Sequence, residues 1–125
     1  NKMEENEEEI PGLTPENLDE IQQCVDEFLT NKTFDENKAD QLINDILEKV
    51  MEILISFKKP YKYITDLMLS HRVGAFMTNT TSASYDKSLD NIYYIFYPKE
   101  KLASGKDKPL IFGLLTIYIV SYTRA

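Results

Sequence analysis

Asp66, His71 and a serine are the residue types of a nucleophilic triad, and Cys24 is a thiol that could serve as a nucleophile or a ligand. No spacing in the sequence fixes the first three as a unit. Cys24 lies among apolar residues with no electropositive neighbour to favour the thiolate, so it is expected to pack as a small hydrophobe. His71 is the chain's single histidine, and no cysteine cluster accompanies it to make a metal site. It sits in a turn and is expected to face solvent. Ser104-Gly105-Lys106 ends like a phosphate loop but lacks the upstream glycine and the strand-to-helix setting. These residues therefore point away from catalysis, and neither a cofactor nor a metal is expected.

Charge narrows the partners. The net charge of −7 is opposite to what phosphate backbones require, which excludes nucleic acid. Ten acidic side chains and one lysine precede residue 28, so the rest of the chain carries about +2 and presents a nearly neutral surface. Hydrophobic residues at 42% and charged residues at 28% are ordinary for a soluble globular domain. A single cysteine cannot form an internal disulfide, and no basic stretch followed by an apolar run opens the sequence. A reducing compartment is thus expected, and the triplets Asn31-Lys32-Thr33 and Asn79-Thr80-Thr81 read as chance matches to a glycosylation signal. The most apolar run, from Leu110 to Tyr122, is interrupted by Gly113 and is too short to span a membrane. It reads as a buried strand, and no membrane insertion is expected.

The elements that would position these residues follow in order. Residues 1–13 form an acidic tail in which Glu4, Glu5, Glu7, Glu8 and Glu9 repel one another, and disorder is expected there; residues 14–125 form the domain. Thr14-Pro15 offers an N-cap and a first-turn proline, and Leu18, Ile21, Cys24, Val25, Phe28 and Leu29 make one apolar stripe, predicting a helix over about 15–30. A second start is predicted at Thr33 to Glu36, with Asp35 as cap or Thr33 and Glu36 as a capping box. The apolar stripe from Leu42 to Phe57 then runs to Lys58-Lys59-Pro60, where the proline blocks continuation.

Beyond Pro60 the period changes from 3.6 to 2. Tyr61, Tyr63, Thr65, Leu67 and Leu69 are set against Lys62, Ile64, Asp66, Met68 and Ser70. His71 to Gly74 reads as a turn, Ala75 to Tyr85 as a Thr/Ser-rich second strand, and Asn91 to Tyr97 as a third. A polar loop over 98–109 precedes a last strand from Leu110 to about Thr123. The eight tyrosines fall mainly at strand positions, where core or interface packing is favoured over stacking on bases.

This pattern predicts an α+β domain, with two N-terminal helices packed on one face of a four-stranded antiparallel sheet. The last strand is apolar on both faces: Ile111, Leu115, Ile117 and Ile119 against Leu110, Phe112, Leu114, Tyr118 and Val120. One helical layer covers one face, so the other requires a partner, and a second copy of the chain is the economical choice.

The helix end running into Lys59-Pro60-Tyr61-Lys62-Tyr63-Ile64, then Val73-Gly74-Ala75 and a Thr/Ser-rich strand, resembles the Tctex-type dynein light chains. The likeness runs from about Leu18 to Tyr122, and Lys-Pro-Tyr-Lys-Tyr-Ile is its most specific part. The resemblance implies a non-catalytic adapter of the dynein motor in the cytoplasm, on the microtubule cytoskeleton. It also implies a homodimer in which the second strand crosses to the partner's sheet, beside a groove for an extended peptide of the dynein intermediate chain and for cargo peptides. By position the exchanged strand is Ala75 to Tyr85, with Phe76, Met77, Thr78, Asn79, Thr80, Thr81, Ser82 and Ala83 nearest a docked peptide. The sequence departs from the family pattern in its longer loop before the last strand, extra carboxy-terminal residues and tyrosine-rich third strand.

Pattern alone reaches a compatible reading, since an edge strand whose backbone groups lack partners is a template for strand addition. Read without the resemblance, the pattern favours a solvated edge strand of a monomer for Ala75 to Tyr85, and the resemblance reverses that preference. Two other functions fit the fold. One is a free-standing dimeric peptide adapter unrelated to the motor; the other is a small-ligand domain, for which Asp66 and Thr116 are the polar groups available in an apolar face.

Overall fold

The computed structural model describes residues 12–72, 91–99 and 110–121. They form two helices, α1 (Pro15–Leu29) and α2 (Ala39–Ser56), and three strands, β1 (Tyr61–Ser70), β2 (Asn91–Tyr97) and β3 (Phe112–Ser121). The strands make an antiparallel sheet in the order β1-β3-β2, with the apolar β3 in the middle. The predicted strand Ala75 to Tyr85 lies outside the described residues, as do half of the predicted turn at 71–74 and residues 100–109 of the loop predicted over 98–109.

α1 starts where Thr14-Pro15 predicts. The Thr14 hydroxyl accepts the Asn17 amide at 3.0 Å, and the Asn17 side chain accepts the Thr14 amide at 3.0 Å, closing a reciprocal cap. After the last turn Asn31 takes φ 66°, a left-handed conformation that asparagine tolerates well. Lys58 does the same after α2, at φ 57°.

The start of α2 corrects the sequence reading. The helix opens at Ala39, and its N-cap, Lys38, makes no side-chain capping bond. Asp35 is used in a local turn instead: its carboxylate accepts the Asn37 amide at 3.0 Å, and its carbonyl accepts the Lys38 amide at 2.9 Å. Thr33 is held extended by a parallel bridge to Leu110, and Phe34 donates to the Leu110 carbonyl at 3.3 Å. That tie to the segment entering β3 keeps the chain extended and delays the helix by about one turn.

The core fills the space between helices and sheet. Ile21, Val25 and Leu29 from α1 and Ile46, Val50 and Leu54 from α2 meet Leu67, Ile95, Leu115, Ile117 and Ile119 from the strands. α2 lies against β1, and α1 against α2 and β2. Gly113 permits a close approach, since a Cβ there would come 3.1 Å from Leu29 Cδ1 and 3.2 Å from Leu69 Cδ2. Cys24 is buried on α1, and burial pushes its thiol pKa up, with Glu27 adding to the rise and Lys49 opposing it.

Two residues before α1, at the end of the predicted tail, make contacts with the sheet. The Gly12 amide donates to the Tyr61 hydroxyl at 2.9 Å, the Leu13 amide donates to the Tyr93 hydroxyl at 3.0 Å, and the Leu13 side chain is buried in the core. Residues 12 and 13 are thus hydrogen-bonded to β1 and β2.

Candidate assembly and peptide-binding face

Opposed residues of antiparallel strands share a face, so the register sorts the sheet into rows. Tyr63 and Ile119, then Thr65, Ile117 and Tyr93, then Leu67, Leu115 and Ile95 form the face under the helices. The opposite face carries Ile64, Tyr118 and Ile92 in one row, Asp66, Thr116 and Tyr94 in the next, and Met68, Leu114 and Phe96 in the third. Lys62 and Val120 form a further pair at one end.

That second face is apolar and only partly covered. Ile64 keeps 52% of its surface exposed and Val120 43%, and Met68 and Tyr118 are exposed beside them. Such grouping across neighbouring strands differs from the isolated exposed hydrophobics that soluble surfaces carry. Asp66 and Thr116 stand opposite one another here, Asp66 exposed and Thr116 buried. They face away from the helices, so they do not line a pocket beneath them. An open cleft of about 450 Å³ on the other side is lined in part by Phe34, Leu42, Leu69 and Ile111, and contains neither residue.

The residues expected nearest a docked peptide, Ala75 to Ala83 with Tyr85, lie outside the described residues; the nearest described residues are Arg72 and Asn91. At the end of β1, the Arg72 amide donates to the Ser70 hydroxyl at 2.9 Å. His71 is exposed as expected, with its ring 5.5 Å from that of Phe34 and inclined by 33°. Asp66 and His71 are exposed, and no hydrogen bond joins them to each other or to a serine among the described residues. Among these residues, no group of three or more His, Cys, Asp or Glu side chains could hold a metal ion, and no helix is long and apolar enough to cross a membrane.

β1 and β2 are the outer strands of the described sheet. At β2 a helix side chain intervenes: Gln22 Nε2 donates to the Phe96 carbonyl and to Asp26 Oδ1, both at 2.9 Å. Sequence reasoning missed this contact. Gln22 reads as a solvated position on the polar side of α1, and only the helix packing against β2 reveals its reach.

The Tctex-1 family model matches residues 14–119, from the N-cap of α1 to the last buried isoleucine of β3. The chain belongs to the Tctex-1 family. In this Tctex-1 family chain the match takes in both helices, most of the described sheet and the segment 75–85 between β1 and β2. Family membership points to a dynein light chain, a non-catalytic kind of protein. No curated protein matches the chain.

Proposed function

We propose that this chain is a light chain of the dynein motor complex, acting as a homodimeric adapter that binds extended segments of the dynein intermediate chain, and of cargo, by β-strand addition. The observation that carries the reading is the apolar face of Ile64, Met68, Tyr118 and Val120, left uncovered by the helices of a chain of this family. A second copy laid on that face removes it from water, with the segment 75–85 exchanged between sheets as the strand beside which a peptide docks. Main-chain hydrogen bonds give such a peptide its affinity, and alternate side-chain positions its specificity.

Two equivalent grooves on one dimer make the second binding event intramolecular. A partner with two segments is then held far more tightly than one segment alone. The role is to align two intermediate chains, in the cytoplasm and on microtubules.

The test is affinity capture from the native cell combined with binding of one-segment and two-segment intermediate-chain peptides. Dynein chains in the eluate and a marked advantage for the two-segment peptide are expected. Capture of other peptide partners without dynein chains would make the protein a free-standing adapter, and equal affinities for the two peptides would overturn the alignment mechanism. Thr78→Pro, which removes a backbone donor from the exchanged strand, is expected to abolish dimerisation or peptide docking while the helices persist.

A further inference from the structure

We infer that Lys62 of one copy pairs with Asp66 of the other across the homodimer interface, and that this reciprocal pair sets how the two sheets lie on each other. The inference rests on the homodimer reading given above and names the charges that orient the dimer.

The observations lie along β1. Its outward residues Lys62, Ile64, Asp66 and Met68 are all exposed. Lys62 stands opposite Val120 and Asp66 opposite Thr116, in two rows of the outer face with the row of Ile64 between them. Among the described residues of this face, Lys62 and Asp66 carry the only charges. Neither side chain makes a hydrogen bond or an ion pair among the described residues. About 13 Å separates the two along the strand, more than the screening length of about 10 Å at ordinary salt. They therefore do little for each other within one chain.

Covering the face changes what these charges do. A second copy takes both out of water, and a charge covered without a partner of opposite sign strongly opposes association. A two-fold interface brings residue i of one copy to residue j of the other, and j to i. For stacked sheets the axis lies between them and runs along the strands or across them. An axis along β3 lays β1 over β2 of the second copy, whose outward residues Ile92, Tyr94 and Phe96 carry no charge, so Lys62 and Asp66 meet no opposite charge. An axis across the strands at the row of Ile64 reverses β1 against its own copy. Lys62 then faces Asp66 of the second copy, and Asp66 faces its Lys62. Packed sheets stand about 10 Å apart, a gap that a lysine and an aspartate reaching from opposite sides close between them. The same axis sets Ile64 against itself at the centre. With 52% of its surface exposed, Ile64 is the most exposed large hydrophobic on this face among the described residues, and the centre is where an interface is most apolar. One strand thus carries a face that complements itself in this orientation.

Charge reversal tests the pairing, read by sedimentation equilibrium of the full chain. Lys62→Glu and Asp66→Lys, each alone, set like charges against each other and are expected to weaken the dimer by about tenfold or more, with the far-UV circular dichroism unchanged. Two combinations are expected to restore it. The double variant Lys62→Glu/Asp66→Lys keeps the pair with its sense reversed and is expected to dimerise like the unaltered chain. A mixture of the two single variants, one of them mass-labelled, is expected to form the mixed dimer in preference to either homodimer in native mass spectrometry, because both contacts then join opposite charges. Should a reversal fail to fold, a double-mutant cycle with Lys62→Met and Asp66→Asn reads the same pair: coupled losses are expected, and additive losses would overturn the inference. A double variant as weak as the single ones, or single variants that dimerise as tightly as the unaltered chain, would overturn the inference and leave the homodimer standing. An unaltered chain that stays a monomer would overturn the homodimer and the pair with it.

Discussion

The hydroxyl of Tyr93 accepts the backbone amide of Leu13, 80 positions away in the chain, at 3.0 Å. Tyr61 does the same for Gly12, so two tyrosines on the helix-facing side of the sheet hold the chain as it enters α1. Tyr63 lies between them in sequence, its ring edge-on to that of Tyr61 at 6.2 Å, but its buried hydroxyl has no hydrogen-bond partner among the described residues. Tyr93→Phe is therefore expected to destabilise the fold by about 1 kcal/mol, the usual contribution of one hydrogen bond, with the Leu13 amide left unpaired. Tyr63→Phe is expected to be neutral or stabilising, because it removes a buried polar atom that nothing satisfies. Urea denaturation of the two variants checks the contrast.

Gly113→Ala sets two effects against each other. Alanine is better than glycine within a strand by about 0.5–1 kcal/mol, but its Cβ would stand 3.1 Å from Leu29 Cδ1 and 3.2 Å from Leu69 Cδ2. Overpacking costs about 1–3 kcal/mol, so net destabilisation is expected. Adding Leu29→Ala should recover part of the loss, and a double-mutant cycle on denaturation midpoints measures that recovery.

On the outer face, Ile64→Glu places a charge in the row shared with Tyr118 and Ile92. The variant is expected to remain folded by far-UV circular dichroism while its self-association weakens by at least tenfold in sedimentation. An equal loss of helical signal and association would mean that this face serves the fold of the single chain.

The buried Cys24 thiol gives a pH dependence whose sign follows from burial. Its pKa is raised in the folded state above the ordinary value of 9.0, so folding favours the protonated form. That contribution is complete below the unfolded-state pKa and is lost as pH rises through the folded one. The stability of the protein relative to Cys24→Ala should thus be level through neutral pH and decline above about pH 9. Slow reaction of the native protein with a thiol reagent at pH 7, accelerated by denaturant, should accompany it.

Much of the fold was legible in the sequence because burial imposes period. The alternation from Tyr61 to Ser70 assigned each residue of β1 to its correct face, and the doubly apolar β3 is the middle strand of the described sheet. The start of α2 was not legible: Thr33 to Glu36 has the side chains of a helix cap, but a long-range bridge to Leu110 holds Thr33 extended. The hydrogen bonds of residues 12 and 13 depend on hydroxyls from β1 and β2 that no local pattern places there. For the candidate site, the uncovered apolar face followed from two-sided hydrophobicity in β3. Gln22 was missed because a glutamine on a helix carries no sign of the carbonyl it will reach across the packing interface.

Sedimentation equilibrium of the unaltered chain tests the central claim most directly. The account predicts a species of twice the protomer mass that persists to low micromolar concentration, because the face of Ile64, Met68, Tyr118 and Val120 is covered by a second copy. A single protomer mass across the whole concentration range would contradict it.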